Sequence, residues 1–374
     1  MKTPLIIFTI LALLGCGNPV MPESPEIPNS PEKQYSLDED IGTMLLVGFR
    51  GTAIDSTHHI WRDIRDYHVG SVILFDYDAP TGTRGRNIKN PIQVERLCHQ
   101  LRTLSPTLII GIDQEGGYVS RLSTRYGFPY IMSAQRSASL GDDTVRRYAR
   151  LTADMLHELG INLNFAPVAD VNVNPQCPVI GGMERSFSAD AERVTQCCEI
   201  WINEQHNQDI ISCLKHFPGH GSAKGDTHRG LVDVSQTWKP EELIPYRELA
   251  ADSNLMVMTA HVVNRRLDPS GLPASLSPRI TSLLRDTLGF NGVIVTDDLA
   301  MGAITNHYTL EQTIRMAIEA GADMLCLSNN GTGGYNSDIV PQVVAIIKQM
   351  IEQGSVSSER IHQSAMRIRH LQTK

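Results

Sequence analysis

The chain has 374 residues, 41% of them apolar, and a formal net charge of −8. That length and apolar share allow one large domain or two ordinary ones, with a sizeable core. The acidic balance argues against nucleic acid as a partner, because phosphate binding needs a basic face. Otherwise a charge of this size serves solubility.

The first stretch reads MKTPLIIFTILALLGCGNP. One lysine precedes an apolar run too short for a comfortable membrane span, which is the plan of a secretory signal. Leu13-Leu14-Gly15-Cys16 resembles a bacterial lipoprotein box. The resemblance implies a signal over residues 1–15 and lipidation of Cys16, so that acyl chains anchor the protein at the cell envelope. An ordinary signal peptide with an incidental cysteine is the alternative. Gly17 rather than an aspartate after the cysteine favours the outer membrane. Residues 16–35 then read as a spacer, with Pro19, Pro22, Pro25, Pro28 and Pro31 three apart. Three residues per turn is the polyproline II repeat, and at about 3.1 Å per residue the spacer spans roughly 40–55 Å.

Residues 36–374 read as one domain. Eight short apolar runs recur along it: MLLVGF (44–49), SVILF (71–75), TLIIGID (107–113), INLNFAP (161–167), DIISCLKHF (209–217), LMVMTAH (255–261), GVIVTDD (292–298) and MLCLSNN (324–330). Continuous runs of this length suit parallel strands buried on both faces. Amphipathic helices lie between many of them. DTVRRYARLTADMLHELG carries an apolar stripe and stops at Gly160, and SADAERVTQCCEIWINEQ follows an expected Ser188 cap. SPRITSLLRDTLG begins Ser277-Pro278, and TLEQTIRMAIEAG has Thr309 and Gln312 at capping-box spacing. Two more helices after residue 335 are split by Gly354. Eight strands interleaved with helices fit an α/β fold of the (β/α)8 TIM-barrel type, with a doubly wound open sheet as the alternative. The polar residues that end the runs (Asp113, His216, His261, Asp297 and Asn329) favour the barrel, which gathers strand ends on one rim. The six cysteines after Cys16 form no CxxC or finger spacing, so no obligatory disulfide and no metal site are expected.

Three stretches carry chemistry. KHFPGHGSAKGDTHRG (215–230) is too rich in glycine and polar groups for a core or a helix. His216 and His220 would form a metal pair on a helix, but Pro218, Gly219 and Gly221 forbid that helix. Asp226 precedes His228 by two, so its carboxylate can fix the imidazole tautomer and leave the other ring nitrogen for proton transfer. A solvated polar loop fits this stretch equally well. GVIVTDDLAM ends a strand in Asp297 and Asp298, of which alternation turns one inward. A buried rim carboxylate must be either paired or used. GIDQEGGYVSRL places Asp113 at a strand end with Arg121 eight residues on, a combination suited to sugar hydroxyls. No phosphate-cradling glycine motif follows a strand.

Together KHFPGHG with the following DTH, DQEGG, NFAPVADV, ERSF and TDDLAM resemble family 3 glycoside hydrolases, in their single-barrel β-N-acetylglucosaminidase branch. The resemblance spans about residues 36–372. It implies a retaining double displacement with Asp297 as nucleophile and His228, held by Asp226, as acid/base. Asp113, Arg121, Arg185, Lys215 and His216 would grip the terminal sugar. No cofactor or metal is implied. The chain departs from the family pattern at Tyr118, where arginine is usual, at Ser188, where glycine is common, and in VIGGMERSF, which is one residue longer.

The expected activity is exo-acting release of terminal β-linked N-acetylglucosamine from peptidoglycan fragments, chitin oligosaccharides or glycans, by a monomer tethered to the envelope. A β-glucosidase or β-glycoside phosphorylase on the same barrel is the second reading. An inactive sugar-binding lipoprotein is the third. The glycines at 219, 221 and 225 are expected to let the dyad loop close over substrate.

Overall fold

The structure, a computed structural model, describes residues 34–331 and 333–373. The signal stretch, Cys16 and the proline run lie outside the described residues.

Eight parallel strands form the core: β1 (Leu45–Gly48), β2 (Ser71–Leu74), β3 (Ile109–Ile112), β4 (Leu163–Asn164), β5 (Ile211–Phe217), β6 (Met256–Thr259), β7 (Val293–Thr296) and β8 (Leu325–Leu327). Each pairs with the next in chain order from β1 to β7, and β8 returns to β1. A parallel bridge between Val295 and Met324 joins β7 to β8 and closes the ring. The closed ring decides for the TIM barrel over an open sheet. Each predicted apolar run supplies one strand, and every strand residue is buried. Strands covered on one face by helices and on the other by the barrel interior have no face left for polar residues.

The principal helices are α1 (Leu37–Thr43), α2 (His59–Asp66), α3 (Pro91–Leu104), α4 (Asp142–Leu159), α5 (Ala191–His206), α6 (Ile244–Leu249), α7 (Pro278–Ser282), α8 (Leu310–Ala320), α9 (Ile339–Glu352) and α10 (Ser358–Gln372). Their ends follow local chemistry. Gly160 ends α4 and Gly321 ends α8 in the left-handed region, which spares the last carbonyls at no Cβ cost. Thr309 and Gln312 cap α8 reciprocally. Ser277 accepts the Ile280 N–H and opens α7, which widens into a π turn over Leu283–Thr287. The expected Ser188 cap is corrected. Asp190 is the cap of α5, because it stands in extended backbone directly before Ala191 and its side chain reaches the Glu192 N–H. Ser188 sits two residues earlier and accepts the Asp190 N–H at 3.0 Å. Cys98, Cys177, Cys197, Cys198, Cys213 and Cys326 are all buried and unbridged.

Two β-hairpins rise from the C-terminal rim. One pairs Tyr77–Asp78 with Thr83–Arg84 after β2, and the other pairs Gln114–Gly116 with Val119–Ser120 after β3.

Candidate active site

β5 delivers two neighbouring side chains to one side of the rim. In regular alternation Lys215 and His216 would face opposite ways. The ladder to β6 pairs Met258 with Lys215 and Thr259 with Phe217, so His216 is an extra residue on a bulge. Both side chains therefore line the same cavity.

Lys215 Nζ donates to Asp113 Oδ1 at 2.8 Å and lies 2.6 Å from Glu115 Oε1. Its side chain is only 2% exposed, so these two carboxylates neutralise a charge that water does not reach. Burial alone would lower the ammonium pKa, but Asp113 and Glu115 outweigh it and raise it. Burial alone would likewise raise the Asp113 carboxyl, but Lys215 and Arg121 hold it well below the usual range. Arg121 Nη2 reaches Asp113 Oδ2 at 3.4 Å. Arg185 grips Glu115 through Nε and Nη2 at 2.7 and 2.8 Å, a bidentate pair. The longer VIGGMERSF segment is absorbed just before it. A 3-10 turn over Gly181–Met183 leads into Glu184 at φ 53°, and Glu184 accepts the Ser133 hydroxyl at 2.6 Å.

His216 is fixed by partners on both ring nitrogens. Arg185 Nη2–H donates to Nε2 at 3.4 Å, so Nδ1 carries the proton given to Asp170 Oδ2 at 2.7 Å. Asp170 also accepts the backbone N–H groups of His216 at 3.2 Å and His220 at 2.7 Å. Burial would raise Asp170, but His216 and these donors bring it down to about 2. His220 is buried, and that burial, with His216 beside it, lowers its pKa to about 4.

Asp297 follows β7 directly and faces the cavity. Its Oδ1 accepts the Asp298 N–H at 2.8 Å. Burial would raise its pKa, but His261, His216 and His228 outweigh that and keep it below 3.8. Asp298 turns back into the wall and accepts from Ser328 N at 3.0 Å, Ala300 N at 3.1 Å and the Ser328 hydroxyl at 2.5 Å. His261 Nε2–H donates to the Asp298 carbonyl at 2.9 Å, while Nδ1 meets the Ser275 hydroxyl at 2.7 Å. This bracing sets the turn that carries Asp297.

The Asp226–His228 pair is formed. Asp226 Oδ1 accepts the His228 N–H at 2.9 Å and lies 2.8 Å from ring Nδ1. Burial would raise Asp226, but the two His228 donors and its charge lower it. The His228 side chain is 65% exposed. The loop rests on the segment after β7, where Gly302 N–H donates to the His228 carbonyl at 3.2 Å and Ala303 N–H to that of Thr227 at 3.1 Å.

A cavity of about 390 Å³ is lined by Asp113, Arg121, Arg185, Lys215, His216, His228 and Asp297. Asp226 stands behind it and touches His228. All eight residues singled out in the sequence are thus at one place. A larger hollow of about 540 Å³ opens at the other end of the barrel, beside Thr107, Ile161, Ile210 and Asn254. No strand C-terminus reaches it, and the chemistry of such barrels lies at the C-terminal rim. Glu115, Asp170, His261 and Asp298 were not singled out as site residues. Glu115 and Asp170 lie inside the quoted DQEGG and NFAPVADV stretches, and only the fold shows which cations they meet. Asn329 does not line the cavity. At φ 52° it bonds the backbone of Asn336 and shapes the loop after β8.

Residues 36–371 match the family described as "Glycosyl hydrolase family 3 N terminal domain". A relative named beta-hexosaminidase A, from Pseudoalteromonas piscicida, is 31% identical over 335 residues, covering 83% of this chain and 54% of that protein. A beta-hexosaminidase from Pseudomonas aeruginosa is 33% identical over 273 residues, covering 71% of this chain and 77% of that one. Among solved structures, a family 3 β-N-acetylglucosaminidase from Paenibacillus sp. superposes with a TM-score of 0.81 at 32% identity, covering 91% of this chain and 62% of that one. A β-N-acetylhexosaminidase from Beutenbergia cavernae superposes with 0.79 at 26% identity, covering 91% and 99%. The chain therefore spans little more than half of the first of these relatives and nearly all of the last.

Proposed function

The chain belongs to glycosyl hydrolase family 3, and from that premise we propose that it is an exo-acting, retaining β-N-acetylhexosaminidase. Its substrates are peptidoglycan fragments, chitin oligosaccharides or glycans that end in β-linked N-acetylglucosamine, and it works at the bacterial envelope, held there through Cys16. The preference for an N-acetylated sugar rests on the names of the relatives. The observation that carries the chemistry is that Asp297 and the Asp226-bound His228 line one cavity with the Lys215–Asp113–Arg185 cluster.

In the first step Asp297 Oδ2 attacks the anomeric carbon as the glycosidic bond breaks. His228, doubly protonated with Nδ1–H on Asp226, gives its Nε2 proton to the leaving oxygen. In the second step neutral His228 takes a proton from water at Nε2. The hydroxide attacks the anomeric carbon and releases Asp297, so two inversions give net retention. Asp113 has acceptor capacity beyond its two cations, and Lys215 has a third N–H beyond its two carboxylates, so both can bond sugar hydroxyls. Because both carboxylates are already paired with Lys215, Arg121 or Arg185, substrate binding need not desolvate a bare carboxylate.

Nitrophenyl N-acetylglucosaminide and nitrophenyl glucoside, each with and without phosphate, separate this reading from its rivals. The expected result is phosphate-independent cleavage that favours the N-acetylated donor by about a hundredfold in kcat/KM. Preference for the glucoside, or a glycosyl phosphate product, would replace it with the second reading. No turnover of any donor would leave the sugar-binding one.

A further inference from the structure

Two large aromatic side chains stand open on the rim of the same cavity. Tyr77 is 39% exposed and Tyr118 is 71% exposed, and both line the space that Asp297 and His228 share. A single exposed aromatic needs no explanation, but two on the mouth of one cleft mark a surface that a ligand covers.

Both rings have firm supports. Tyr77 rides on the hairpin after β2, where the adjacent Asp78 is held by Arg50 at 2.7 and 2.9 Å and by Arg86 at 2.8 Å. Tyr118 sits at the tip of the hairpin after β3. There Gly116 and Gly117 have φ of 94° and 56°, and a Cβ on Gly117 would lie 2.7 Å from that of Ser133. Gln114, at the hairpin base, exchanges bonds with Asn164 at 3.0 and 3.1 Å. Rings on anchored hairpins can act as preformed platforms.

Their position follows from the barrel order. β2 and β3 lie across the ring from β6 and β7. The dyad loop rests on the segment after β7, so the rings form the wall opposite His228.

The charge of that space is also defined. Among the described residues the cations lining the cavity are Arg121, Arg185 and Lys215, set against the carboxylates of Asp113, Asp297 and Asp298 in the same lining and of Glu115 beside it. Arg84 lies 5.7 Å from the Tyr77 ring centre and is paired with Asp76 at 3.0 Å. Arg229, beside the dyad, is 3.6 Å from Asp226. The cavity lining also includes Ala79, Val119 and Met183. Such a wall offers CH–π and apolar contact to the face of a sugar, in a cavity whose carboxylates outnumber its arginines and lysine and so disfavour a further carboxylate.

We propose that Tyr77 and Tyr118 form the aglycone subsite and hold a neutral sugar ring by stacking. The protein then prefers neutral β-linked N-acetylglucosaminyl oligosaccharides to those whose next sugar bears a carboxylate. This rests on the N-acetylglucosaminidase reading above.

The test compares three donors: β-N-acetylglucosaminyl fluoride, which has no aglycone ring, N,N′-diacetylchitobiose, and the same sugar β-linked to anhydromuramic acid. The unaltered protein is expected to favour chitobiose over the acidic disaccharide by about tenfold in kcat/KM. In Tyr118→Ala and in Tyr77→Ala the ratio of chitobiose to fluoride kcat/KM falls by about tenfold, and Tyr118→Phe restores it. An unchanged ratio in both alanine variants, or a preference for the acidic disaccharide, overturns the subsite while leaving the glycosidase reading intact. Failure to turn over the fluoride overturns both.

Discussion

In the proposed mechanism the division of labour rests on His228, because an exposed imidazole bound to one carboxylate can serve as acid and as base in turn. Replacing it removes proton donation, and that matters in proportion to how poor the leaving group is. In His228→Ala, kcat/KM for chitobiose is expected to fall about 10²- to 10⁴-fold. A dinitrophenyl donor, which needs no proton, should lose far less. Equal losses on both donors would assign His228 another role. Glu242 gives a residue-scale prediction about stability. It is fully buried against Gly219, its Oε1 accepts the Lys239 N–H at 3.1 Å, and burial pushes its carboxyl up to about 7 from 4.5. Between those values the folded chain keeps a proton that the unfolded chain has shed. Stability from this group is therefore complete below pH 4.5 and is lost as the pH rises toward 7. The loss is on the order of 3 kcal/mol, and Glu242→Gln should abolish it. Denaturant midpoints at pH 5 and pH 8 read this out, and parallel pH dependence in both proteins would contradict it.

At the scale of elements, the loop after β5 shows where sequence reading succeeds and where it stops. Its glycines suggest a flexible lid. In the fold Gly219 and Gly221 are places of close approach: a Cβ on Gly219 would meet Glu242 at 2.7 Å, and one on Gly221 would meet the Val171 carbonyl at 1.8 Å. Gly221→Ala should thus cost roughly 3 kcal/mol in urea unfolding, whereas Gly230→Ala, with open space around it, should change stability by less than about 0.5 kcal/mol. Equal effects would refute the packing argument. The eight strands and most helix ends were legible because each depends on a local run of side chains or on one cap. The bulge at His216 was not, since it exists only in the pairing of β5 with β6. Glu115 and Asp170 escaped notice because their partners Arg185, Lys215 and His216 are distant in sequence. Asp297 was legible because a polar side chain ending a buried run demands a reason, and Asp226 with His228 because a carboxylate two residues before an imidazole can pair with it.

For the whole molecule, the barrel explains why residues from 113 to 297 share one cavity: every β-strand delivers its C-terminal end to the same rim. Asp40 on α1 is held by Arg369 and, at 2.8 Å, by His362, which fixes α10 beside α1. We propose that the envelope tether is a separate device, acting through Cys16 and the proline spacer. Cys16→Ser should move the activity from the membrane to the soluble fraction and abolish incorporation of a labelled fatty acid. Retention on membranes without the label would refute it. The central claim is that Asp297 forms the covalent bond to the sugar. A 5-fluoro-N-acetylglucosaminyl donor, followed by proteolysis and mass mapping of the trapped protein, tests it most directly. One adduct is expected, on the peptide carrying Asp297, absent in Asp297→Ala. An adduct on any other side chain would contradict it.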